Sequence, residues 1–492
     1  MKGDTNMKIL GEDYHDLFNY IYPKMVVISG LPGSGKSTIC KEFHEHGYFV
    51  LSKDDIRHRL ACMKYGYQPE TFFRQEQLHE FSHSTRFVNH CCFLLFYNFT
   101  HKYLLEENLQ ELKSYIFKRH LPMDNFIYRL IVHYAKEMYE QDLKYGIIFD
   151  ATYLTKKSRA AFITLQSQYN DMDVYSIYID TPLRIAYERV QKRSATLTTY
   201  FDGKPVYGRS VPLQVLKYME KTIRIPSEHE GFHQVYFLSN NLPSIYNFFD
   251  AQKLYQNFVP YGDTIRKDIV KLFPSFAPTI DFCQQNFYHD LCVDAHLIRS
   301  AYYIKQYHNF PLFVATLLHD VGKPFTQEFY LIPKNKYGGR DYRKLIISKK
   351  TKDSYICHPP FYHNTIHKFP KDTSIVDLNA HYFGHDAVSA IHAFHDCISL
   401  NFDLKTCLLI YKYIYYHMRI KGESCSLSVN TLNELRNIFT EKQCYNLLLL
   451  HKADILHSKI FPTNGFQPIK NKTMVFDTNK NIIYKIFHQN LI

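Results

Sequence analysis

The chain has 492 residues, too many for one ordinary domain and enough for two or three with well-packed cores. Its formal net charge of +12 favours polyanionic partners, nucleic acid first among them, although the basic residues are dispersed and a solvated basic surface accounts for them equally well. Eleven cysteines without a regular framework of spacings or a signal peptide imply reduced thiols and a cytoplasmic location, and no apolar run nears the roughly 20 residues that span a bilayer, so no membrane partner is expected.

Residues 1–23 form a polar and aromatic extension with no assigned role. From 24 to 240 short apolar runs alternate with helical stretches: Met25–Ser29, Tyr48–Ser52, Gly146–Asp150 and Val174–Asp180 read as strands, which predicts a parallel, three-layer α/β sheet. The first strand leads into Gly30-Leu-Pro-Gly33-Ser34-Gly35-Lys36-Ser37-Thr38, which opens a helix running to His46. Glycines at this position let backbone N–H groups turn toward phosphates, Lys36 can reach the β and γ oxygens, and the Ser37 hydroxyl suits Mg²⁺. This pattern is a nucleotide-phosphate cradle, with an ordinary glycine-rich strand-to-helix turn as its bland alternative.

About twenty residues on, at the second strand end, stands Lys53-Asp54-Asp55-Ile56-Arg57. An alcohol that accepts a phosphoryl group needs a carboxylate to take its proton, and a guanidinium can clamp a neighbouring phosphate. A helix N-cap would explain the same aspartates. Residues 58–144 read as a helical insertion over the carboxyl edge of the sheet, where it would shape the acceptor site.

These motifs, with Ile147-Ile-Phe-Asp150-Ala-Thr-Tyr-Leu154, resemble the polynucleotide 5′-kinase family of bacteriophage-type end-healing enzymes over about residues 24–235. The resemblance implies ATP and Mg²⁺ as cofactors. It makes Asp54 the general base for a 5′-hydroxyl, sets Arg57 on the terminal nucleotide's phosphate, and has Asp150 help to arrange the acceptor site. It also implies a lid over the donor phosphates from Tyr187–Arg193 and Gly208–Pro212, with Arg193 and Arg209 as the lid arginines and Arg189 as the alternative to Arg193.

A proline-bearing connector at 241–274 precedes a second region, 275–492, whose apolar spacing is helical. Helices are predicted at Val293–Gln306, Pro311–Leu318, Ala387–Ser399, Leu404–Met418 and Tyr445–Ser458, making this half all-α. It carries His296, then Leu317-Leu-His319-Asp320-Val-Gly-Lys323-Pro324, then Asp454. Two imidazoles and two carboxylates can hold a divalent transition metal, whereas an adjacent His and Asp on a buried helix are costly without a partner.

The order of these residues resembles the HD phosphohydrolase superfamily over about 275–460. That resemblance implies metal ligation by His296, His319, Asp320 and Asp454, a phosphate contact at Lys323, and hydrolysis of a phosphoester with a metal such as Mn²⁺, Ni²⁺ or Co²⁺. His385 and His417 fit a second-metal or phosphate-binding role.

Together the halves resemble a bifunctional enzyme for the ends of broken RNA or DNA, phosphorylating a 5′-hydroxyl and removing a 3′-phosphate or 2′,3′-cyclic phosphate, with a separate ligase as a further partner. Two alternatives stand beside it: a small-molecule or nucleoside kinase fused to a nucleotide phosphohydrolase, and an ATP-gated phosphohydrolase.

Overall fold

The computed structural model describes residues 7–19, 24–53, 146–168, 173–201, 204–207, 210–260, 263–284, 291–331, 343–350, 354–358, 367–370, 378–420 and 429–457. The insertion expected at 58–144, together with Asp54, Arg57 and Arg209, lies outside them. The chain divides into two compact units, one of Met1–Met219 with Ile223–Asn241, the other of Glu220–Thr222 with Leu242–Ile492.

The first unit opens with β1 (Lys8–Leu10), β2 (Met25–Gly30), α1 (Lys36–Glu45), β3 (Phe49–Ser52) and β4 (Ile147–Asp150). It continues with α2 (Lys156–Gln168), β5 (Val174–Asp180), α3 (Leu183–Ala195), the hairpin β6 (Leu197–Phe201) and β7 (Lys204–Tyr207), α4 (Leu213–Thr222) and β8 (Gln234–Ser239). Six strands form one sheet in the order β1-β8-β5-β2-β4-β3. From β8 to β3 every pairing is parallel, while β1 runs antiparallel, with Lys8 opposite Ser239 and Leu10 opposite Phe237. The sheet is therefore mixed and not wholly parallel as expected: part of the extension at 1–23 supplies the edge. Three residues are too few to show a two-residue period in sequence.

β2 and β5 are buried along their whole length, as near-continuous apolar runs covered on both faces should be. On one face Ile39, Cys40 and Phe43 of α1 join a core with Val26, Ile28, Ile148 and Ile177. Phe149, next along β4, meets Phe162 of α2 with ring centroids 4.3 Å apart. β2 sits centrally, flanked by β4 and β5, and the chain leaves it first toward β3 and later toward β5. Connections that part in this way open a crevice at the carboxyl end of β2, where ligands bind in open α/β sheets.

Arg159 of α2 is fully buried and forms a two-pronged pair with Glu230, Nε to Oε2 at 2.9 Å and Nη2 to Oε1 at 2.6 Å, while Nη1 donates to the Tyr153 carbonyl at 2.8 Å. Breaking such a pair strands the other charge, so Arg159→Met should cost about 3–5 kcal/mol in urea unfolding. A cost under about 1 kcal/mol, the range of exposed pairs, would contradict this account.

The second unit begins with α5 (Phe248–Asn257) and α6 (Asp263–Leu272), inside what reads in sequence as a connector, then α7 (Val293–Lys305), α8 (Phe310–Leu318) and α9 (Lys323–Thr326). After β9–β13 come α10 (His385–Ser399), α11 (Leu404–Tyr416), a 3₁₀ turn at His417–Ile420, α12 (Val429–Ile438) and α13 (Glu441–Leu456). Local chemistry sets the helix starts: Asn309 accepts from the Leu312 N–H at the head of α8, and Thr440 with Gln443 makes a capping box for α13.

This half is not all-α. Between α9 and α10 lie β9 (Glu328–Leu331), β10 (Arg343–Lys350), β11 (Ser354–His358), β12 (His367–Pro370) and β13 (Leu378–His381), an antiparallel sheet in the order β12-β11-β10-β9-β13. β9 and β11–β13 have only four or five residues each, and the eight-residue β10 has a register shift between Ile347 and Lys349, which breaks the alternation that would have revealed it.

Within this unit Asp396 of α10 is buried and accepts from Ser275 N at 3.2 Å and Ser275 Oγ at 2.5 Å. Burial pushes its carboxyl up to about 6, against the pull of Ser275, His392 and His395. A folded pKa above the unfolded one makes the folded state the tighter proton binder, so the cost of the ionised group fades as pH falls through about 6. Between pH 8 and pH 5 this group alone should add about 1 kcal/mol of stability, and Asp396→Asn should flatten that part of the profile. Equal pH slopes of unfolding in wild type and variant would refute it.

Candidate phosphate loop and candidate metal centre

The segment between β2 and α1 turns on three glycines with positive φ: Gly30 at 158°, Gly33 at 85° and Gly35 at 98°. A Cβ on Gly33 would stand 2.5 Å from the Ala186 carbonyl of α3, so the loop is pressed against that helix and admits no side chain there. Gly35 caps α1 without a side chain, and the helix N-terminus with its partial positive charge opens directly into the loop. Lys36 is buried, its Nζ donating to the carbonyls of Gly30 at 3.0 Å and Leu31 at 2.8 Å, while Ser37 and Thr38 are exposed on the first turn. Ser34 is buried, and its carbonyl accepts from Asn240 Nδ2 at 2.9 Å.

Asp150, at the end of β4, lies level with Ile28 of β2 and Ser52 of β3, and the adjacent Gly30 N–H donates to the Thr152 carbonyl at 3.1 Å. The carboxylate is thus placed at the edge that carries the loop. Of the α3 arginines, Arg189 lies against the loop: its Nη1 donates to Asn240 Oδ1 at 2.9 Å and lies 3.5 Å from the Gly33 carbonyl. Burial lowers the Arg189 pKa. Arg193, one helical turn further along, is exposed. Asn240 escapes sequence reading because one asparagine after a strand has no motif; its side chain also donates to Thr181 Oγ1 at 2.8 Å.

In the second unit four helices and a turn deliver the expected residues to one place: His296 from α7, His319 and Asp320 from the end of α8, His385 from the start of α10, His417 after α11, and Asp454 from α13. All are buried. His296 Nε2 is 3.2 Å from His319 Nε2, 3.3 Å from Asp454 Oδ1 and 3.6 Å from Asp320 Oδ2; His319 Nε2 is 3.5 Å from Asp320 Oδ2 and 3.7 Å from Asp454 Oδ1. Donors held about 2.1 Å from one tetrahedral ion stand about 3.4 Å apart, so these five separations suit a single cation. On its other side Asp320 Oδ1 is 3.2 Å from His385 Nε2 and 3.8 Å from His417 Nε2, and Asp320 thereby belongs to two groups of potential ligands.

The outer nitrogens complete the pattern. Each Nδ1 faces a backbone carbonyl: His296 that of His457 at 3.0 Å, His319 that of Thr316 at 2.8 Å, His385 that of Tyr382 at 2.6 Å and His417 that of Ile414 at 2.5 Å. A carbonyl only accepts, so Nδ1 carries the proton and each Nε2 can offer a lone pair inward, as ligating histidines do. Among the described residues the buried Nε2 of His417 has no hydrogen-bond partner, and that of His385 has only the Asp320 carboxylate near it. Burial, with His319 and His385 beside it, holds the His417 imidazole well below its ordinary value. Burial alone would raise the Asp320 carboxyl, but Lys323, His319 and His385 hold it well below the usual range. The donor set therefore fits divalent metal.

Lys323 Nζ lies 2.6 Å from Asp320 Oδ2 and donates to Gln284 Oε1 at 2.7 Å. Gly322 lets this turn approach α10: a Cβ there would fall 2.5 Å from the His385 carbonyl, and the Gly322 N–H donates to Ser389 Oγ at 2.8 Å.

Among protein families, the AAA domain model matches residues 25–91, which include β2, the loop, α1 and β3. No curated protein matches the chain. Among solved structures it is similar to a gluconokinase from Sinorhizobium meliloti 1021, at 12% identity and a TM-score of 0.23, over 46% of this chain and 86% of that one. The first unit is a P-loop kinase-like α/β domain, which implies ATP with Mg²⁺. The second is largely helical with a buried His/Asp cluster able to hold metal, and among the described residues no helix is long and apolar enough to cross a membrane.

Proposed function

We propose that the chain heals nucleic-acid ends, its first unit moving the γ-phosphoryl of ATP to a 5′-hydroxyl and its second hydrolysing a 3′-phosphate or 2′,3′-cyclic phosphate. The observation that carries the reading is the presence in one chain of a phosphate loop and of a buried cluster in which Asp320 serves two groups of inward Nε2 atoms. The net charge of +12 suits a polyanionic substrate.

In the first unit the N-terminus of α1 and Lys36 hold the donor phosphates and Ser37 serves Mg²⁺. Asp54 takes the proton of the 5′-hydroxyl, Arg57 holds the neighbouring phosphate and Asp150 orders the acceptor. In the second, His296, His319, Asp320 and Asp454 hold one divalent ion, and His385 and His417 hold another with Asp320. Such ions polarise a phosphoester and lower the pKa of bound water. Lys323 meets the substrate phosphate, its charge kept close by Asp320.

The reading is tested with two sets of RNA and DNA oligonucleotides, one bearing 5′-hydroxyl and 3′-hydroxyl ends with ATP and Mg²⁺, the other 5′-phosphate and 3′-phosphate or cyclic ends with Mn²⁺, Ni²⁺ or Co²⁺. Gain of one phosphoryl in the first set and loss of one, or opening of the ring, in the second is expected. ATP consumed without an oligonucleotide product, or dephosphorylation confined to mononucleotides, would overturn it.

A further inference from the structure

Cys283 and Cys292 bring their Sγ atoms to 3.2 Å, across an isolated antiparallel bridge. The Val293 N–H donates to the Phe282 carbonyl at 3.0 Å, which makes the cysteines a non-hydrogen-bonded cross-strand pair, the closer of the two kinds, with Cα atoms near 4.5 Å. That separation falls in the range a disulfide spans. The other described cysteines, Cys40, Cys397, Cys407 and Cys444, are buried, whereas Cys283 is exposed and Cys292 half-buried. Cys283 is the more exposed of the two and is therefore the sulfur that meets an oxidant first.

The pair is tied to the candidate metal centre from both sides. Gln284 follows Cys283 directly; its Oε1 accepts from Lys323 Nζ at 2.7 Å, its Nε2 reaches the Leu291 carbonyl at 3.4 Å, and its own carbonyl accepts from Tyr382 OH. Cys292 caps α7, and its carbonyl accepts from the N–H of His296 at 3.0 Å. Lys323, whose ammonium is engaged by Gln284 and Asp320, has one N–H left for a substrate phosphate, so the placing of Gln284 limits how far Lys323 can turn toward it, and the strand that carries Gln284 is joined to α7 beside these sulfurs.

We infer that Cys283 and Cys292 form a reversible disulfide that fixes Gln284 against Lys323 and so weakens phosphoester binding in the second unit. The thiolate of Cys283 attacks one sulfur of a low-molecular-weight disulfide such as oxidised glutathione and displaces its other half as a thiol. Cys292 Sγ, giving its proton to solvent, then attacks the Cys283 sulfur of the mixed disulfide and releases the second thiol. Two protein thiols are oxidised and one small disulfide is reduced to two thiols, and dithiothreitol reverses the exchange.

The activity part rests on the phosphohydrolase reading; the covalent part does not. The full chain, reduced and then treated with excess oxidised glutathione, is alkylated, digested and weighed. A peptide joining Cys283 to Cys292, two hydrogens lighter than its reduced halves, is expected, and it should be missing in Cys283→Ser and in Cys292→Ser. Glutathione retained on Cys283 with Cys292 alkylated, or linkage of either to another cysteine, overturns the inference. In parallel the KM for p-nitrophenyl phosphate should rise about tenfold on oxidation with kcat little changed, as for loss of one hydrogen bond to a charged group, and dithiothreitol should restore it. The two Ser variants should show no such response. A linked peptide with an unchanged KM refutes the coupling, and hydrolysis absent in both redox states refutes the phosphohydrolase reading while the peptide result stands.

Discussion

Asp320→Ala is expected to lower phosphoester hydrolysis by more than the ten- to hundredfold that loss of an outer partner of a metal ligand typically costs, and to leave 5′ phosphorylation intact. The size follows from the position of this one carboxylate. Its Oδ2 faces His296 and His319, its Oδ1 faces His385 and His417, and Lys323 Nζ lies 2.6 Å from it. Removing it leaves four inward nitrogens, Asp454 and an uncompensated buried ammonium, a poorer cage for any cation. The measurement pairs the rate with metal content after dialysis. Bound metal should fall with the rate, and Lys323→Ala should lower the rate with the metal retained. Full metal occupancy in Asp320→Ala would remove this residue from the ligand set. Loss of the kinase reaction in the same variant, with the unfolding midpoint unchanged, would argue that the two chemistries share one site.

How much of this was legible in the sequence depends on whether a residue's role is set by neighbours in the chain or by neighbours in space. The phosphate loop was legible because its glycines, Lys36 and Ser37 act on one ligand from consecutive positions, after a strand of unbroken apolar residues. His319 and Asp320 stood out as an adjacent pair in an apolar helix, and four partners from distant positions do meet them. Arg193 is the lid arginine the resemblance favours on α3, with Arg189 one turn away as its alternative; that Arg189 reaches Gly33 and Asn240 is legible only in space. Asn240 and Gln284 carry no signal of their own, since each works through one hydrogen-bond partner far away in the chain. The sheet at 328–381 leaves little trace in the sequence because β9 and β11–β13 have only four or five residues each and the register shift in β10 spoils its period. The Cys283–Cys292 pair, nine residues apart, fits no framework by spacing and is visible only in the Sγ separation.

Lys36→Ala should lower ATP-dependent phosphoryl transfer by about a hundred- to thousandfold, the loss seen when one preorganised charge-stabilising donor is removed, with stability almost unchanged. The side chain lies along the mouth of the loop and its Nζ donates to two loop carbonyls, Gly30 and Leu31, so the ammonium is fixed where the phosphates of a nucleotide on the α1 N-terminus would gather. Two opposing terms keep the stability effect small. The two carbonyls lose a donor, but alanine is the strongest helix former for the first turn of α1, and the glycines at 33 and 35 set the loop's shape without the lysine. Lys36→Arg separates charge from shape. It keeps a cation but brings a planar, forked head into a space held by a single ammonium, so it too should lose most of the transfer rate. Equal activity of Lys36→Arg and wild type would mean that only charge is needed at this position. An active Lys36→Ala would mean that the loop is not the donor site, and the kinase reading of the first unit would fall with it.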